Sequence, residues 1–250
     1  MTKPLLYCAG KTAAARYAAW YLAQAGVPMA REPEEAVRHL LLDVPSFDSA
    51  GNLRLGGSFP ELLAKLSPDA TVFGGNLGDL VPKNGVDFLK DPLYQAENAY
   101  ITAECALEIA LERLPRTLRG CPVLILGWGR IGRCLSKLLT ALGADVTIAA
   151  RKASDRALSQ ALGYQAEDIP SLTDHLSLFR LLFNTVPAPV LSQEALALCG
   201  ADCVKIELAS RTGLEGEDIV VARGLPGTHM PESSGQLIAR TYLRLSKEAI

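Results

Sequence analysis

The chain has 250 residues, 49% hydrophobic and 21% charged. That composition can bury a sizeable core in one large or two smaller α/β domains and excludes disorder as the default state. A formal net charge of −2 leaves no electrostatic footprint for nucleic acid or an anionic membrane. No apolar run approaches bilayer length, and the opening MTKPLLYCAGKTAAARY turns polar too early for a signal peptide. Cys8, Cys105, Cys121, Cys134, Cys199 and Cys203 lie mostly in apolar segments and form no CxxC pair. They read as small buried hydrophobes in a reducing compartment, so a cytoplasmic location is expected. Cys199 and Cys203 stand four apart, without a histidine–cysteine set beside them.

Residues 5–10 (LLYCAG) read as a strand, followed by an Ala-rich helix from Thr12 to Gln24 that Gly26 ends. Residues 39–45 are a second buried strand, and the stretch after them is a loop or hairpin. Ser58 and Glu61 have capping-box spacing at the head of a helix over 58–66. TVFGGN (71–76) and VDFLK (86–90) complete a small parallel sheet. From Asp91-Pro92 a helical pattern runs over 93–114, about 30 Å at the α-helical rise. Strands are expected at 122–126, 145–150, 180–184, 202–208 and 219–222, with helices at 130–142, 153–162 and 192–198. A terminal helix has Pro231 in its first turn. The expected domains are a small α/β unit over 1–92, a bridging helix over 93–114 and a dinucleotide-binding domain over 115–230, with 231–250 packing back on the first. AGKT (9–12) has the ending of a P-loop, but the leading glycine would fall at Leu5, so a strand-to-helix turn is the better account.

The chemistry is concentrated in LILGWGRIGRCLSKLLTALGADVTIAARK (124–152). Gly127, Gly129 and Gly132 fit GxGxxG directly after the apolar run Val123–Leu126. The glycines allow a tight turn, backbone approach to a pyrophosphate, and contact between helix and strand. The helix opened by Arg130 and Ile131 then presents unpaired N–H groups to the phosphates, and Trp128 is expected to pack over the cofactor or the cleft. The second strand ends without the acid that would bind a ribose 2′-hydroxyl. It is followed by Arg151, Lys152 and Ser154, which suit a 2′-phosphate, so NADP is expected over NAD.

GWGRIG and the AAR strand end are joined by LLFNTVP (181–187), VKIELASRTG (204–213) and ARGLPGTHMPESSGQLIA (222–239). Together they resemble the A-subunit family of dipicolinate synthase, a two-domain relative of the D-2-hydroxyacid dehydrogenases. NAYITAECALEIAL (98–111) is similar to its interdomain helix. The chain departs from the family pattern at Arg211, Thr212 and Gly213, where Pro-Gly-Gly follows the serine, and at His229. The resemblance implies a Rossmann-type doubly wound parallel sheet plus a smaller flavodoxin-like α/β domain, joined by long helices. It also implies NADP-linked oxidation of a dihydrodipicolinate-type dicarboxylate to pyridine-2,6-dicarboxylate, a role in sporulation, and partnership with a flavoprotein-like B subunit. A homo-oligomer is expected, as is common for two-domain dehydrogenases.

Asn184, Thr185, Val186 and Pro187 end a strand on the carboxyl edge of the sheet, where ligands bind in open α/β folds. They are expected to face the nicotinamide side of the cofactor, or else to form a plain polar turn. Ala209, Ser210 and Arg211 end the next strand, and Arg211 can clamp a carboxylate or pair with Glu215. His229, in the loop before the last helix, is the candidate for moving a ring proton. Leu225, Pro226, Gly227, Ser233 and Ser234 are candidates for holding a carboxylate at a helix N-terminus. The resemblance places a glutamate at Glu104, although Glu104, Glu108 and Glu112 at i+4 spacing also suit a solvated face. Two alternatives stay open: an NADP-dependent dehydrogenase of a small 2-hydroxy or 2-oxo acid, and a nucleotide-binding regulatory subunit.

Overall fold

A computed structural model describes residues 4–48, 50–81 and 84–248. The chain divides into two compact units, 1–98 with 226–250, and 99–225.

The first unit is built on four parallel strands in the order β1 (Leu6–Cys8), β2 (His39–Leu41), β3 (Thr71–Gly74) and β4 (Gly85–Asp87). A single parallel bridge adds Met29 to the free side of Leu6. It is held by hydrogen bonds from Leu6 N to Pro28 O (2.9 Å) and from Ala30 N to Leu6 O (2.8 Å). Counting that bridge as a strand, the sheet has the 2-1-3-4-5 order of flavodoxin-like folds. The crossover α1 (Ala13–Gln24) is Ala-rich because another helix lies against it. That helix is α8 (Pro231–Glu248), where a Cβ on Gly235 would stand 2.6 Å from Ala14 O. The same helix is tied to the sheet by a buried contact of 2.8 Å between His39 Nδ1 and the Tyr242 hydroxyl. Arg244 also donates to Asp91 at 2.6 Å. Ser58 caps α2 (Phe59–Leu63) as its spacing suggests, accepting from Glu61 N. The strands of this unit and α2 are all shorter than expected, two elements markedly so. β2 ends at Leu41, and two residues on, Asp43 turns its carboxylate to Lys11 N, Thr12 N and the Thr12 hydroxyl at the head of α1. Residues 88–90 form a 3-10 turn rather than strand, capped by Asp87, which accepts from Leu89 N at 2.9 Å.

The second unit opens within α3 (Pro92–Arg113). It carries a wholly parallel sheet in the order β10-β9-β8-β5-β6-β7, comprising β5 (Pro122–Leu126), β6 (Asp145–Ala149), β7 (Gln165–Glu167), β8 (Leu181–Asn184), β9 (Val204–Glu207) and β10 (Ile219–Val221). This is the doubly wound Rossmann order, whose direction reverses between β5 and β8. The strands are near-continuous apolar runs because helices cover both faces of a parallel sheet, and Val123, Leu124, Ile125 and Leu126 are all fully buried. The crossover helices are α4 (Arg130–Ala141), α5 (Ala153–Ala161) and the short α6 (Gln193–Leu196). β7 and the 3-10 turns over 169–174 and 176–178 are additions to the sequence reading, as is α7 (Leu225–His229). Among the described residues no helix is long and apolar enough to cross a membrane.

Candidate functional site

The glycine loop lies at the point where the strand order reverses, which is where open α/β sheets bind ligands. Gly127 has φ +101°, and a Cβ there would stand 2.6 Å from Thr185 Oγ1. A Cβ on Gly132 would stand 2.4 Å from Gly127 O, so helix and strand touch only because the side chain is absent. Gly129 differs: a Cβ there would meet nothing within 4 Å. Its lack of a side chain serves open space in front of the loop, as close approach of a phosphate group requires. Gly129 is also the N-cap of α4, which carries no side-chain cap and no acid in its first turn. The first-turn N–H groups of Arg130, Ile131 and Gly132 are thus unneutralised at the positive end of a twelve-residue helix. These features fit a dinucleotide pyrophosphate.

Trp128 is buried, its ring edge-on to Tyr164 with centroids 5.5 Å apart and Arg133 Cζ 5.6 Å from its centroid. Its indole N–H is buried without an acceptor among the described residues. Tyr164 and Arg133, the latter also donating to Trp128 O at 3.1 Å, had no role in the sequence reading; the structure makes them the frame of the loop.

At the end of β6, Arg151, Lys152 and Ser154 are all exposed, and neither cation is in an ion pair among the described residues. Arg156 holds the backbone there, donating to Ala150 O (2.7 Å) and Arg151 O (2.8 Å). Two acids, one at the end of the neighbouring strand and one just past it, are both engaged. Asp168 pairs with Arg156 at 3.1 Å, and Glu167 lies 3.3 Å from His175 Nδ1.

Across the switch point, the strongest polar feature is one that sequence reasoning missed. Glu207, at the end of β9, is fully buried. Its carboxylate accepts from Asn184 Nδ2 (2.8 and 3.0 Å), Ala209 N (3.0 Å), Gly213 N (2.8 Å) and Leu214 N (3.1 Å). No cation is needed, because backbone N–H groups satisfy the charge. Asn184 completes the arrangement by accepting from Val186 N (3.0 Å) and donating to Val186 O (3.1 Å). Gly213 has to be glycine here, since a Cβ would stand 2.4 Å from Asn184 Nδ2.

This changes the roles expected for three residues. The Asn184 amide is fully buried and engaged at both ends, so it positions the loops rather than facing a ligand. Thr185 commits its hydroxyl to Leu126 O at 2.8 Å, tying the end of β8 to the glycine loop. Ala209 is buried, and its carbonyl accepts from Arg223 Nε at 3.1 Å. Arg223 also donates to Thr212 at 2.9 Å, bracing the turn from below. What the frame leaves exposed is Pro187, Ser210 and Arg211, with Val186 half-buried. Arg211 carries no ion pair among the described residues, so the pairing with Glu215 is not the one observed. Within β9 the sequence alternates Val204, Lys205, Ile206 and Glu207, so the acid reads there as an ordinary outward residue.

The remaining candidates lie elsewhere. Glu104 is half-buried on α3, in the second unit. Leu225 and Pro226 are buried and Gly227 half-buried in α7, which His229 ends with its side chain exposed. Ser233 is exposed and Ser234 buried in the first turns of α8. From Pro226 onward these residues belong to the first unit. No group of three or more metal-ligating side chains occurs among the described residues.

No family model matches the chain. The A subunit of dipicolinate synthase of Bacillus subtilis (strain 168) is 29% identical over 159 residues, which cover 60% of this chain and 54% of that protein. The chain thus spans about half the length of the curated relative it matches. The crystal structure of the dipicolinate synthase A chain from Bacillus halodurans superposes with a TM-score of 0.83 at 22% identity, covering 97% of each chain. A transhydrogenase from Sinorhizobium meliloti shares the fold with a TM-score of 0.68 at 12% identity, over 98% of this chain and 95% of that one. The chain is similar to the A subunit of dipicolinate synthase in sequence over 60% of its length and in fold over nearly all of it.

Proposed function

We propose that the protein is an NADP-dependent oxidoreductase subunit that oxidises a dihydrodipicolinate-type precursor to pyridine-2,6-dicarboxylate. The observation that carries the reading is the pairing of an open, uncapped glycine loop with two unpaired cations at the end of β6. The relatives' names supply the substrate class, and their fold supports hydrogen transfer.

The chemistry a bound nicotinamide supplies is hydride acceptance. The protein's own tasks are binding, orientation and proton removal. The N–H groups at the head of α4 bind the pyrophosphate, and Arg151 with Lys152 bind the 2′-phosphate, aided by Ser154. Arg211, on the turn that Glu207 and Asn184 hold, offers its planar fork to a substrate carboxylate. Ser210 is placed beside it on the same turn. On the sequence reading, His229 is the group proposed for the ring proton, and Ser233 and Ser234 with residues 225–227 are proposed to hold a carboxylate. Glu104 is assigned to the same chemistry by the family resemblance alone. The same resemblance supports partnership with a B-type flavoprotein subunit, with a homo-oligomer as the working form.

The test is NADP reduction on freshly formed precursor, followed by the ultraviolet absorbance of the pyridine product, with and without a co-expressed B subunit. Product formed with NADP and lost in His229→Ala and Arg211→Ala supports the reading. Nucleotide binding by calorimetry with no product under either condition overturns it in favour of a regulatory subunit. NADPH oxidation by small 2-oxo acids overturns it in favour of a 2-hydroxyacid dehydrogenase.

A further inference from the structure

The nucleotide site uses the carboxyl edge of the six-stranded sheet. The opposite, amino edge carries CGADC (199–203), directly ahead of β9. Below α6 the chain makes two successive turns, closed by Cys199 N to Leu196 O (3.1 Å) and Cys203 N to Gly200 O (2.9 Å). These bring residue 203 back beside residue 199, so that the two thiols lie within reach of each other, and the Cys203 sulfur also stands 4.0 Å from Val204 O. Both pack on the same apolar cluster, with Leu176, Phe179, Leu182 and Leu196. Cys203 is buried in it, while Cys199 is half-exposed. We propose that Cys199 and Cys203 form a reversible thiol–disulfide site, with Cys199 attacking a hydroperoxide and Cys203 resolving the product.

The surroundings divide those roles. The S–H of Cys203 pulls the Cys199 thiol below its usual value against the cost of burial, and Lys205 adds in the same direction. Cys203 is held well above its usual value, by the neighbouring Cys199 first and by burial second. The adjacent carboxylate of Asp202 would oppose a thiolate, but it is paired with Arg180 at 3.1 Å. The other cysteines do not compete. Burial pushes Cys8 up to about 12 and, with Glu108 and Glu104 adding to it, Cys105 up to about 11. It raises Cys121 and Cys134 as well. Reactive cysteines are the ones that are thiolate-rich and accessible, with a second thiol in reach.

The step balances. The Cys199 thiolate attacks one peroxide oxygen, the O–O bond breaks, and a sulfenic acid forms as hydroxide leaves. The Cys203 sulfur then attacks the Cys199 sulfur, the S–O bond breaks, and the hydroxyl departs as water with the Cys203 proton. Two thiols lose two electrons and two protons, and hydrogen peroxide becomes two waters.

The experiment uses the full chain, treated with one equivalent of hydrogen peroxide, then unfolded and blocked with N-ethylmaleimide in guanidinium chloride, digested with trypsin and weighed. No Lys or Arg lies between Arg180 and Lys205, so one peptide carries both cysteines. It is expected to be lighter by two hydrogen atoms, to carry no maleimide, and to regain both sites after dithiothreitol, while the other cysteine peptides stay fully alkylated. In Cys203→Ala, dimedone is expected to trap a sulfenic acid on Cys199, with the rate down by roughly tenfold as the thiolate loses its donor. Two maleimides on the 181–205 peptide of the oxidised wild-type chain would overturn the proposal. So would earlier oxidation of the Cys121 or Cys134 peptide. The wild-type measurement stands whether or not the variant folds.

Discussion

At Gly10–Thr12 a strand passes to a helix through AGKT, and at Gly127–Gly132 another passes through GWGRIG. Both turns have glycine, a basic residue and the positive end of a twelve-residue helix. In the first, the Asp43 carboxylate accepts from Lys11 N (3.1 Å), Thr12 N (3.1 Å) and the Thr12 hydroxyl (2.6 Å). A Cβ on Gly10 would stand 2.6 Å from Ala15 Cβ and 2.8 Å from Asp43 Oδ1. In the second, no side chain caps the helix, and a Cβ on Gly129 would meet nothing within 4 Å. The first turn already holds an anion, supplied by the protein itself. A glycine-rich turn before a helix is therefore a phosphate site only when its amides are left over, and here that is decided by an acid remote in the chain.

The difference can be attacked from either side. The largest effect is expected at the frame of the second turn's neighbour. Glu207→Ala leaves the N–H groups of Ala209, Gly213 and Leu214 buried without an acceptor. It should cost about 3 kcal/mol or more, read as a fall in the urea midpoint, together with loss of NADP binding. If instead the midpoint holds, the carboxylate is not what joins the two loops.

Next in size is the nucleotide turn. Arg151→Glu should weaken NADP by on the order of tenfold to a hundredfold in calorimetry while leaving NAD binding in place. An equal affinity for both nucleotides in the wild-type chain, unchanged by the substitution, would remove the phosphate role. Gly129→Val should weaken both nucleotides while leaving the melting temperature within a few degrees, because the new side chain points into empty space. Gly132→Val, by contrast, should lower the melting temperature as well, its Cβ having nowhere to go.

On the other side, Asp43→Ala should destabilise the protein by about 1–3 kcal/mol as the helix head loses its acceptor, with NADP affinity unaltered. Added phosphate should recover part of that loss if the vacated amides behave like those of α4. The smallest effect concerns pH. Burial lowers the pKa of His39 below 6.5 in the fold, so the unfolded chain takes up a proton that the native state refuses. Stability should then be full above about pH 6.5 and decline as pH falls from there toward the depressed native value. His39→Gln should flatten that part of a thermal-melt profile.

Much of this was legible because periodicity and spacing are local. The apolar run of β5, the stripe of α4 and the three glycines placed the loop, and the AAR strand end placed the cations. What escaped was made by distance. Glu207 sits in KIELAS and looks like an alternating strand residue; only Gly213 and Leu214, brought back by the turn, make it a buried hub. β7 is three residues of QAE without alternation, and its strand character comes from pairing with β6. The Met29 bridge is a single residue, which no window can detect. Asn184 and Thr185 were found by their place on the sheet edge, but their partners, Glu207 and Leu126, could not be read from it.

Arg156 grips the two carbonyls just past β6 and is itself anchored by Asp168. The main chain that carries residue 151 is therefore clamped independently of whichever side chain it bears. If the proposed coenzyme site is right, exchanging that side chain should retune nucleotide choice without disturbing its mount, so attempts to alter that choice should leave 156 and 168 alone and vary only 151, 152 and 154.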